Sequence, residues 1–233
     1  MRVLGIETAT SVCGVALVDG VRVEAERSLD ERYAHAERLF GFLDEVLESA
    51  AIGLSAIHGI GVSIGPGSFT GLRIGLSVVK GLHLATGIPV VGVPTLEALA
   101  QHGLLEARAA GGDALLAVLD ARRGEVYWQL FVPGDLSARQ LTDVHDGPVE
   151  EILASLPPGR IVVTGEARQQ VVDGLVAAGV EASRMRMLTA PAAACSAVAV
   201  ARLAGVMMEA GVRHDIAALE PRYIKEFFLR TTE

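Results

Sequence analysis

The sequence lacks the apolar runs and the cysteines that mark membrane or disulfide-rich secreted proteins. No stretch reaches the roughly 18 consecutive apolar residues of a membrane-spanning helix, and no membrane contact is expected. Cys13 and Cys195 are the only cysteines, and we expect them to be small buried side chains rather than a disulfide. The opening residues, MRVLGIETAT, predict a strand and lack the apolar core of a signal peptide. We therefore expect a globular protein of the cytoplasm.

Positive charge is also scarce. The formal net charge is −8, and the arginines are scattered apart from pairs such as Arg122–Arg123. Because nucleic-acid binding depends largely on cationic groups that meet phosphates, a chain of this composition is a poor RNA binder on its own. If the protein works on RNA, a partner must supply much of the contact.

Familiar metal and nucleotide motifs are missing as well. No two histidines have His-x-x-His or His-x-x-x-His spacing and neither cysteine lies near a histidine, so we expect no metal site. The stretch Gly65–Gly71 is rich in glycine, but it is not a Walker A loop because no Gly-Lys-Ser/Thr closes it. Any phosphate contact must therefore use a different arrangement.

The most informative stretch is residues 59–84, which read GIGVSIGPGSFTGLRIGLSVVKGLHL. The pattern predicts a strand at Gly59–Ile64, a glycine-rich loop, and a helix from Phe69 or Thr70 to about Ala85. The apolar arc of this helix spans roughly 200°, against about 100° for an ordinary surface helix. Such a helix needs cover on two sides, and its own sheet supplies one of them.

Two glycines raise the question of what covers the other side. Gly71 and Gly75 lie four residues apart on one face of the predicted helix, where each costs roughly 1 kcal/mol. They would let another helix approach closely. That helix could belong to the same chain or to another subunit, and both interpretations stay open.

An arrangement of strand, acid, turn and strand occurs twice. Val3–Glu7, a turn and Val12–Val18 in the first half correspond to Ala114–Asp120, a turn and Glu125–Val132 in the second. Alternating strands and helices follow each copy. This order predicts two α/β lobes, on the plan of the actin, Hsp70 and sugar-kinase group.

We expect a first lobe at residues 1–108 and a second, smaller lobe at 109–215. The tail, at about 216–233, is expected to pack back on the first lobe. The remaining pattern predicts helices at His35–Ala50, at Thr95–Leu105 with Thr95 as its cap, near Pro148–Ser155, and from Ser196 to about Ala210.

Two loops are candidates for phosphate or nucleotide contact. The first strand ends in Glu7 and a run of hydroxyl side chains, which can hold phosphate and hydrated Mg²⁺ or can simply cap a hairpin turn. The glycine-rich loop precedes a helix, whose N–H groups favour anions, or it is a tight turn that needs glycine. The candidate residues are Glu7, Thr8, Thr10, Gly65 and Gly67.

Residues 61–65 match Gly-x-Ser-x-Gly, the nucleophile elbow of α/β-hydrolases. That elbow needs a serine on a sharp turn where a helix begins at once. Ser63 instead falls within the strand pattern, and Pro66-Gly67 separate it from the helix. A serine in an ordinary strand, without a catalytic role, also explains the match to this motif. A stand-alone serine hydrolase or peptidase using Ser63, and a nucleotide-binding phosphotransferase, are kept as alternatives.

Several of these stretches together resemble one known family. GIETATSVCGVAL, SIGPGSFTGLRIG, GVPTLEALA and LDARRGEVYWQLF, in this order, are similar to the TsaB (YeaZ) family of bacterial tRNA threonylcarbamoyladenosine biosynthesis subunits. The resemblance is specific over roughly residues 1–130. It extends more weakly to VVTGEA at 162–167 and to EPRYIK at 220–225, where the family has Pro-x-Tyr-Leu-Arg.

The resemblance implies an actin-like (ribonuclease H-like) two-lobed ATPase-type fold with a reduced second lobe. It implies a non-catalytic scaffold subunit that works with TsaD and TsaE in threonylcarbamoylation of N6 of adenosine 37 in tRNAs that read ANN codons. TsaD-like proteins carry a metal-binding His-x-x-x-His after the equivalent glycine-rich stretch, and here Thr95 and Leu99 occupy those positions. Leucine cannot bind a metal, so we expect no catalytic residue and no metal in this chain.

The resemblance also implies the partners. First-lobe helices are expected to pair with TsaD, or with a second copy of this chain when TsaD is absent. The tRNA is reached through the complex, and ATP or ADP is at most weakly bound at the TsaB–TsaD–TsaE assembly. The predicted interface residues are Leu39, Leu43, Gly71, Leu72, Gly75, Leu76, Val78 and Val79.

Overall fold

The computed structural model describes residues 1–31, 35–135 and 137–225. The strands are β1 (Arg2–Glu7), β2 (Val12–Asp19), β3 (Arg22–Asp30), β4 (Gly59–Gly65), β5 (Val90–Pro94), β6 (Ala114–Asp120), β7 (Val126–Pro133), β8 (Ala138–Gln140), β9 (His145–Gly147), β10 (Ile161–Thr164) and β11 (Met185–Met187). The helices are α1 (His35–Ser49), α2 (Phe69–Thr86), α3 (Thr95–His102), α4 (Leu104–Ala109), α5 (Arg168–Ala177) and α6 (Ala197–Glu209). They form two sheets with helices packed on them, which is the α/β architecture that the sequence predicts.

The first sheet joins an antiparallel meander to two parallel strands, in the order β3-β2-β1-β4-β5. β1 pairs antiparallel with β2 and parallel with β4. Gly20, with a φ of 58°, makes the tight turn between β2 and β3. α1 and α2 cover one face, and the Ser68 side chain caps α2 while Gly87 ends it.

α6 covers the other face of the first sheet, although it follows the second sheet in the chain. This placement corrects the expectation that all of 109–215 belongs to the second lobe. Glycines in the strands make room for the helix, since a Cβ on Gly5 would lie 2.1 Å from the Ala197 carbonyl oxygen. A Cβ on Gly61 would lie 2.5 Å from Ala204 Cβ. Close packing of small residues therefore brings α6 back to β1 and β4.

The second sheet has the order β11-β10-β6-β7-β8, and β9 also pairs with β7. α3 and α4 pack on one of its faces, and α5 packs on the other. The helix expected near Pro148–Ser155 is a 3₁₀ helix at Val149–Ser155. Sequence analysis missed β8 and β9 because strands of three residues are too short to show an alternating pattern.

The helix expected at Thr95–Leu105 is divided into α3 and α4 at Gly103. Thr95 is not its cap, because Pro94 holds that position. The Thr95 hydroxyl instead accepts a hydrogen bond from the Gly65 N–H at 3.1 Å. This bond joins the start of α3 to the glycine-rich loop.

The C-terminal segment lies against both sheets as far as it is described. Leu219 is buried in the core beneath α1 and α2. The Lys225 ammonium group donates to the carbonyl oxygen of Ala121, in the turn between β6 and β7. Residues 226–233 lie outside the described residues, so the packing expected of them stays a prediction.

Candidate functional site

A buried carboxyl group joins the ends of β1 and β4. The Ser63 hydroxyl donates to Glu7 Oε2 at 2.5 Å, and the Ala9 N–H donates to Glu7 Oε1 at 2.6 Å. Glu7 and Ser63 are both fully buried. A hydrolase elbow needs an exposed serine beside a general base, so the hydrolase alternative is not favoured.

Burial raises the pKa of Glu7 from its ordinary 4.5 to about 7. The hydrogen bonds from Ser63, Ala9 and Thr8 oppose this rise, and the nearby charge of Glu166 adds to it. The cause is desolvation, which penalises the charged carboxylate more than these few donors compensate. The neutral acid is therefore favoured in the folded protein over a wider pH range than in the unfolded chain.

This pKa predicts that stability falls as the pH rises. Between pH 4.5 and about 7 the folded state holds a proton on Glu7 that the unfolded state has released, so the stabilisation is complete below 4.5 and is lost as the pH rises through 7. The shift corresponds to about 3 kcal/mol. In Glu7→Gln the amide can donate to Ser63 and its oxygen can accept from Ala9, which reproduces the neutral acid.

We therefore expect urea unfolding of the wild type to lose about 3 kcal/mol relative to Glu7→Gln between pH 4.5 and 8. The Glu7→Gln protein is the control, since every other titrating group is shared. Parallel stability curves for the two proteins across this range would contradict the assignment of a neutral buried Glu7.

The glycine-rich loop closes on the chain's own first turn. The Ser68 N–H donates to the Ala9 carbonyl oxygen at 2.6 Å. A Cβ on Gly67 would lie 2.2 Å from that same oxygen, and one on Gly65, whose φ is 112°, would lie 2.7 Å from the Arg222 carbonyl oxygen. The loop therefore forms a tight turn that needs glycine, which is one of the two structures that the sequence allows.

The residues predicted to contact phosphate do not line an open site in this chain. Glu7 and Thr8 are fully buried, and Thr10 is 9% exposed with its hydroxyl accepting from the Val12 N–H. The spaces beside Gly65 and Gly67 are filled by backbone atoms. In the single chain these residues therefore pack against the chain itself, and phosphate contact at the assembly stays a prediction.

The glycine face of α2 is covered by Thr8. A Cβ on Gly71 would lie 2.0 Å from the Thr8 carbonyl oxygen, and one on Gly75 would lie 2.4 Å from Thr8 Oγ1. Thr8 Oγ1 has no hydrogen-bond partner among the described residues. Of the two interpretations of these glycines, close approach within the same chain is therefore the one observed, although the neighbour is a turn and not a helix.

All eight residues predicted at the partner interface are buried in the single chain, although one of them, Val78, also lines the groove described below, and their contact with a partner stays a prediction. On an amphipathic helix the most apolar face packs on its own sheet, so that face is occupied before any partner arrives. These eight residues are Leu39, Leu43, Gly71, Leu72, Gly75, Leu76, Val78 and Val79.

The surface that α1 and α2 leave open carries aromatic side chains and an arginine. Phe40 is 59% exposed and Phe69 is 38% exposed. The Arg73 guanidinium lies 3.9 Å from the centre of the Phe69 ring, and its Nε donates to the Tyr223 hydroxyl at 3.0 Å. The rings of Phe69 and Tyr223 stack with centroids 5.2 Å apart.

These side chains lie in and beside a groove of about 530 Å³, which we call the α1–α2 groove. Sequence analysis missed it because only the buried stripe of each helix was considered. Exposed phenylalanines on two neighbouring helices were the available signal. The groove is lined by Ala36, Phe40, Phe69, Thr70, Arg73, Ile74, Ser77 and Val78.

The positions that match the metal ligands of TsaD-like proteins are part of this chain's interior. Thr95 is fully buried and holds the glycine-rich loop, and Leu99 is fully buried against the second sheet. The described residues contain no group of three or more His, Cys, Asp or Glu side chains placed to hold a metal ion. Within the same residues, no helix combines the length and apolar character needed to span a membrane.

The two sheets and their covering helices define a protein of the actin-like ATPase fold. The ROK hexokinase of Thermus thermophilus superposes with a TM-score of 0.50 at 14% identity, covering 91% of this chain and 100% of that one. YeaZ from Pseudomonas aeruginosa superposes with a TM-score of 0.78 at 28% identity, covering 96% of this chain and 99% of that one. The first similarity shows the fold alone, and the second extends over nearly the whole chain.

Sequence comparison identifies the family within this fold class. The family model for TsaD, tRNA N6-adenosine threonylcarbamoyltransferase, matches residues 30–226. The Escherichia coli tRNA threonylcarbamoyladenosine biosynthesis protein TsaB is 41% identical over 128 residues, which are 55% of this chain and 54% of that protein. The Bacillus subtilis TsaB is 33% identical over 132 residues, 56% of this chain and 55% of that protein. The chain belongs to the TsaD family, in its TsaB (YeaZ) group, and its match spans about half the length of these curated relatives.

Proposed function

We propose that this protein is a non-catalytic scaffold subunit in threonylcarbamoylation of N6 of adenosine 37 in tRNAs that read ANN codons. It pairs with the catalytic subunit TsaD through α1 and α2, and it assembles with TsaE. In the absence of TsaD, a second copy of the chain takes the same place. The names of the TsaB relatives and the TsaD family match support the pathway.

The α1–α2 groove is the observation that carries this proposal. Phe40, Phe69 and Arg73 leave a large aromatic and cationic surface in contact with solvent. Arginine and aromatic side chains are the residue types that dominate binding energy at protein interfaces. Because the stacked Phe69 and Tyr223 rings already hold the Arg73 guanidinium, little side-chain entropy is lost when a partner covers it.

The positions of Thr95 and Leu99 support a subunit without its own active site. Both side chains belong to the packed interior. A leucine side chain has no atom that can bind a metal, so this pair cannot replace the two histidines of TsaD-like proteins. ATP or ADP binds only weakly, and only where this chain assembles with TsaD and TsaE. In this chain alone, Gly65 and Gly67 are packed against backbone atoms, and a phosphotransferase site is not favoured.

Co-purification tests the proposal. We expect the tagged chain and the TsaD of the same organism to form a one-to-one complex, measured by size-exclusion chromatography with light scattering. Depleting the chain in cells should lower threonylcarbamoyladenosine in tRNA hydrolysates measured by mass spectrometry. Separate elution of the two proteins at micromolar concentration, with the modification unchanged on depletion, would refute it.

A further inference from the structure

The turn between β6 and β7 holds two arginines in a conformation that arginine seldom adopts. Arg122, Arg123 and Gly124 have φ values of 68°, 57° and 84°. Glycine adopts this left-handed region freely, whereas a side chain with a Cβ is strained there. Elsewhere in the described chain, only Ala51 is a non-glycine residue with positive φ. Strain of this kind clusters at functional sites, and here it falls on two adjacent cationic residues.

Three other side chains hold the turn in place. Asp120 Oδ1 accepts from the Arg122 N–H at 2.8 Å, and Gln170 of α5 donates to the Gly124 carbonyl oxygen at 2.7 Å. The Lys225 ammonium group donates to the carbonyl oxygen that precedes the arginines, at 2.8 Å. The backbone is therefore fixed from β6, from α5 and from the C-terminal segment, and the two guanidinium groups are presented by a rigid support.

The charge around the turn leaves Arg123 available. Both arginines are exposed, and Arg122 lies 3.6 Å from Asp120. Of the other acids beside the turn, Glu125 pairs with Lys225, and Glu166 accepts from the Asp120 N–H at 3.2 Å. Among the described residues, Arg123 makes no ion pair or hydrogen bond through its side chain. In a chain with a net charge of −8, an exposed and uncompensated guanidinium next to a second one is a distinct cationic site.

We propose that the Arg122–Arg123 turn binds the phosphate backbone of the RNA on which the assembly acts. This inference rests on the proposed function, which supplies an RNA substrate. A guanidinium group matches two phosphate oxygens at once, and a rigid turn loses little entropy on binding. Phosphate contacts position an RNA without reading its sequence, which suits a subunit that must accept several tRNAs.

The double variant Arg122→Asn/Arg123→Asn separates this role from a structural one. Asparagine tolerates the left-handed region better than arginine does, and Asn-Gly is the pair that tight hairpin turns favour. The variant should therefore unfold at the same temperature as the wild type or a higher one. The matched control is Arg139→Gln/Arg186→Gln, which removes the same charge from exposed strand positions of the same sheet.

The measurement is the affinity of an ANN-decoding tRNA transcript for the assembly of the chain with TsaD and TsaE, by fluorescence anisotropy at several salt concentrations. We expect the Asn variant to bind about tenfold more weakly, with a slope of log K against log salt that is shallower by about 1 for each lost arginine. The control variant should stay within about twofold of the wild type, because its charges lie outside the contact.

Unchanged affinity and salt slope in the Asn variant would overturn the proposal. Loss of TsaD or TsaE from the variant assembly, with tRNA binding by the remaining complex unchanged, would overturn it too and would assign the turn to carboxylates of a protein partner. Failure of the wild-type chain to join TsaD would refute the proposed function instead. In that case the same variants and transcript, measured on the chain alone at low salt, still decide whether the arginines bind RNA.

Discussion

Gly71→Ala is expected to lower the free energy of unfolding by about 3 kcal/mol. The added methyl group would lie 2.0 Å from the Thr8 carbonyl oxygen, which is backbone and cannot rotate away. Either α2 or the turn after β1 must therefore shift, and this turn also positions Glu7. The better helix propensity of alanine returns only about 1 kcal/mol.

Gly81→Ala is the matched control on the same helix. A Cβ at Gly81 would meet nothing within 4 Å, so this change should raise stability by up to about 1 kcal/mol. Urea unfolding followed by circular dichroism measures both variants. Stabilisation by Gly71→Ala similar to that by Gly81→Ala would show that the contact with Thr8 does not constrain α2.

Phe40→Glu is expected to weaken the binding of TsaD by at least about a hundredfold, the size of a strong interface hot spot. Phe40 lies in the α1–α2 groove, where a partner would bury the new carboxylate without an ionic partner. Because Phe40 is 59% exposed in the single chain, the free energy of unfolding should change by no more than about 0.5 kcal/mol. Isothermal titration with purified TsaD measures the affinity.

Leu105→Glu is the control for this prediction. Leu105 is 72% exposed on α4, on the second sheet, and it does not line the groove. The same hydrophobic-to-acidic change there should leave TsaD binding within about twofold, because exposed positions outside an interface contribute little. Equal losses in the two variants would mean that the added charge, and not the α1–α2 groove, governs association.

The sequence predicts the regular elements well where the local pattern is strong. The bounds of α2 follow from the Ser68 cap and the terminal Gly87, and both ends agree with the structure to within a residue. Strands β1 and β2 agree similarly, and a turn at Gly20 follows the end of β2 at Asp19. The ends of these helices and strands depend on residues that are close in sequence, so the sequence alone is enough to predict them.

Which segment packs on a given face of a helix or sheet depends on residues that are distant in the chain. This packing is therefore harder to predict from the sequence. The apolar width of α2 correctly indicates that two sides are covered, but Gly71 and Gly75 do not reveal that Thr8 fills the space between them. The same limit applies to α6, whose return to the first sheet depends on the strand residues Gly5 and Gly61. The residues predicted at the partner interface therefore lie on faces of α1 and α2 that the single chain itself buries.

Reconstitution of the modification tests the central claim most directly. Purified TsaD and TsaE, ATP, a donor of the threonylcarbamoyl group and an ANN-decoding tRNA transcript are combined with and without this chain, and the modified nucleoside is measured by mass spectrometry. A scaffold that pairs with TsaD predicts product only when this chain and TsaD are both present, and none from this chain without TsaD. Product formed by this chain without TsaD, or an equal yield when this chain is omitted, would contradict the account.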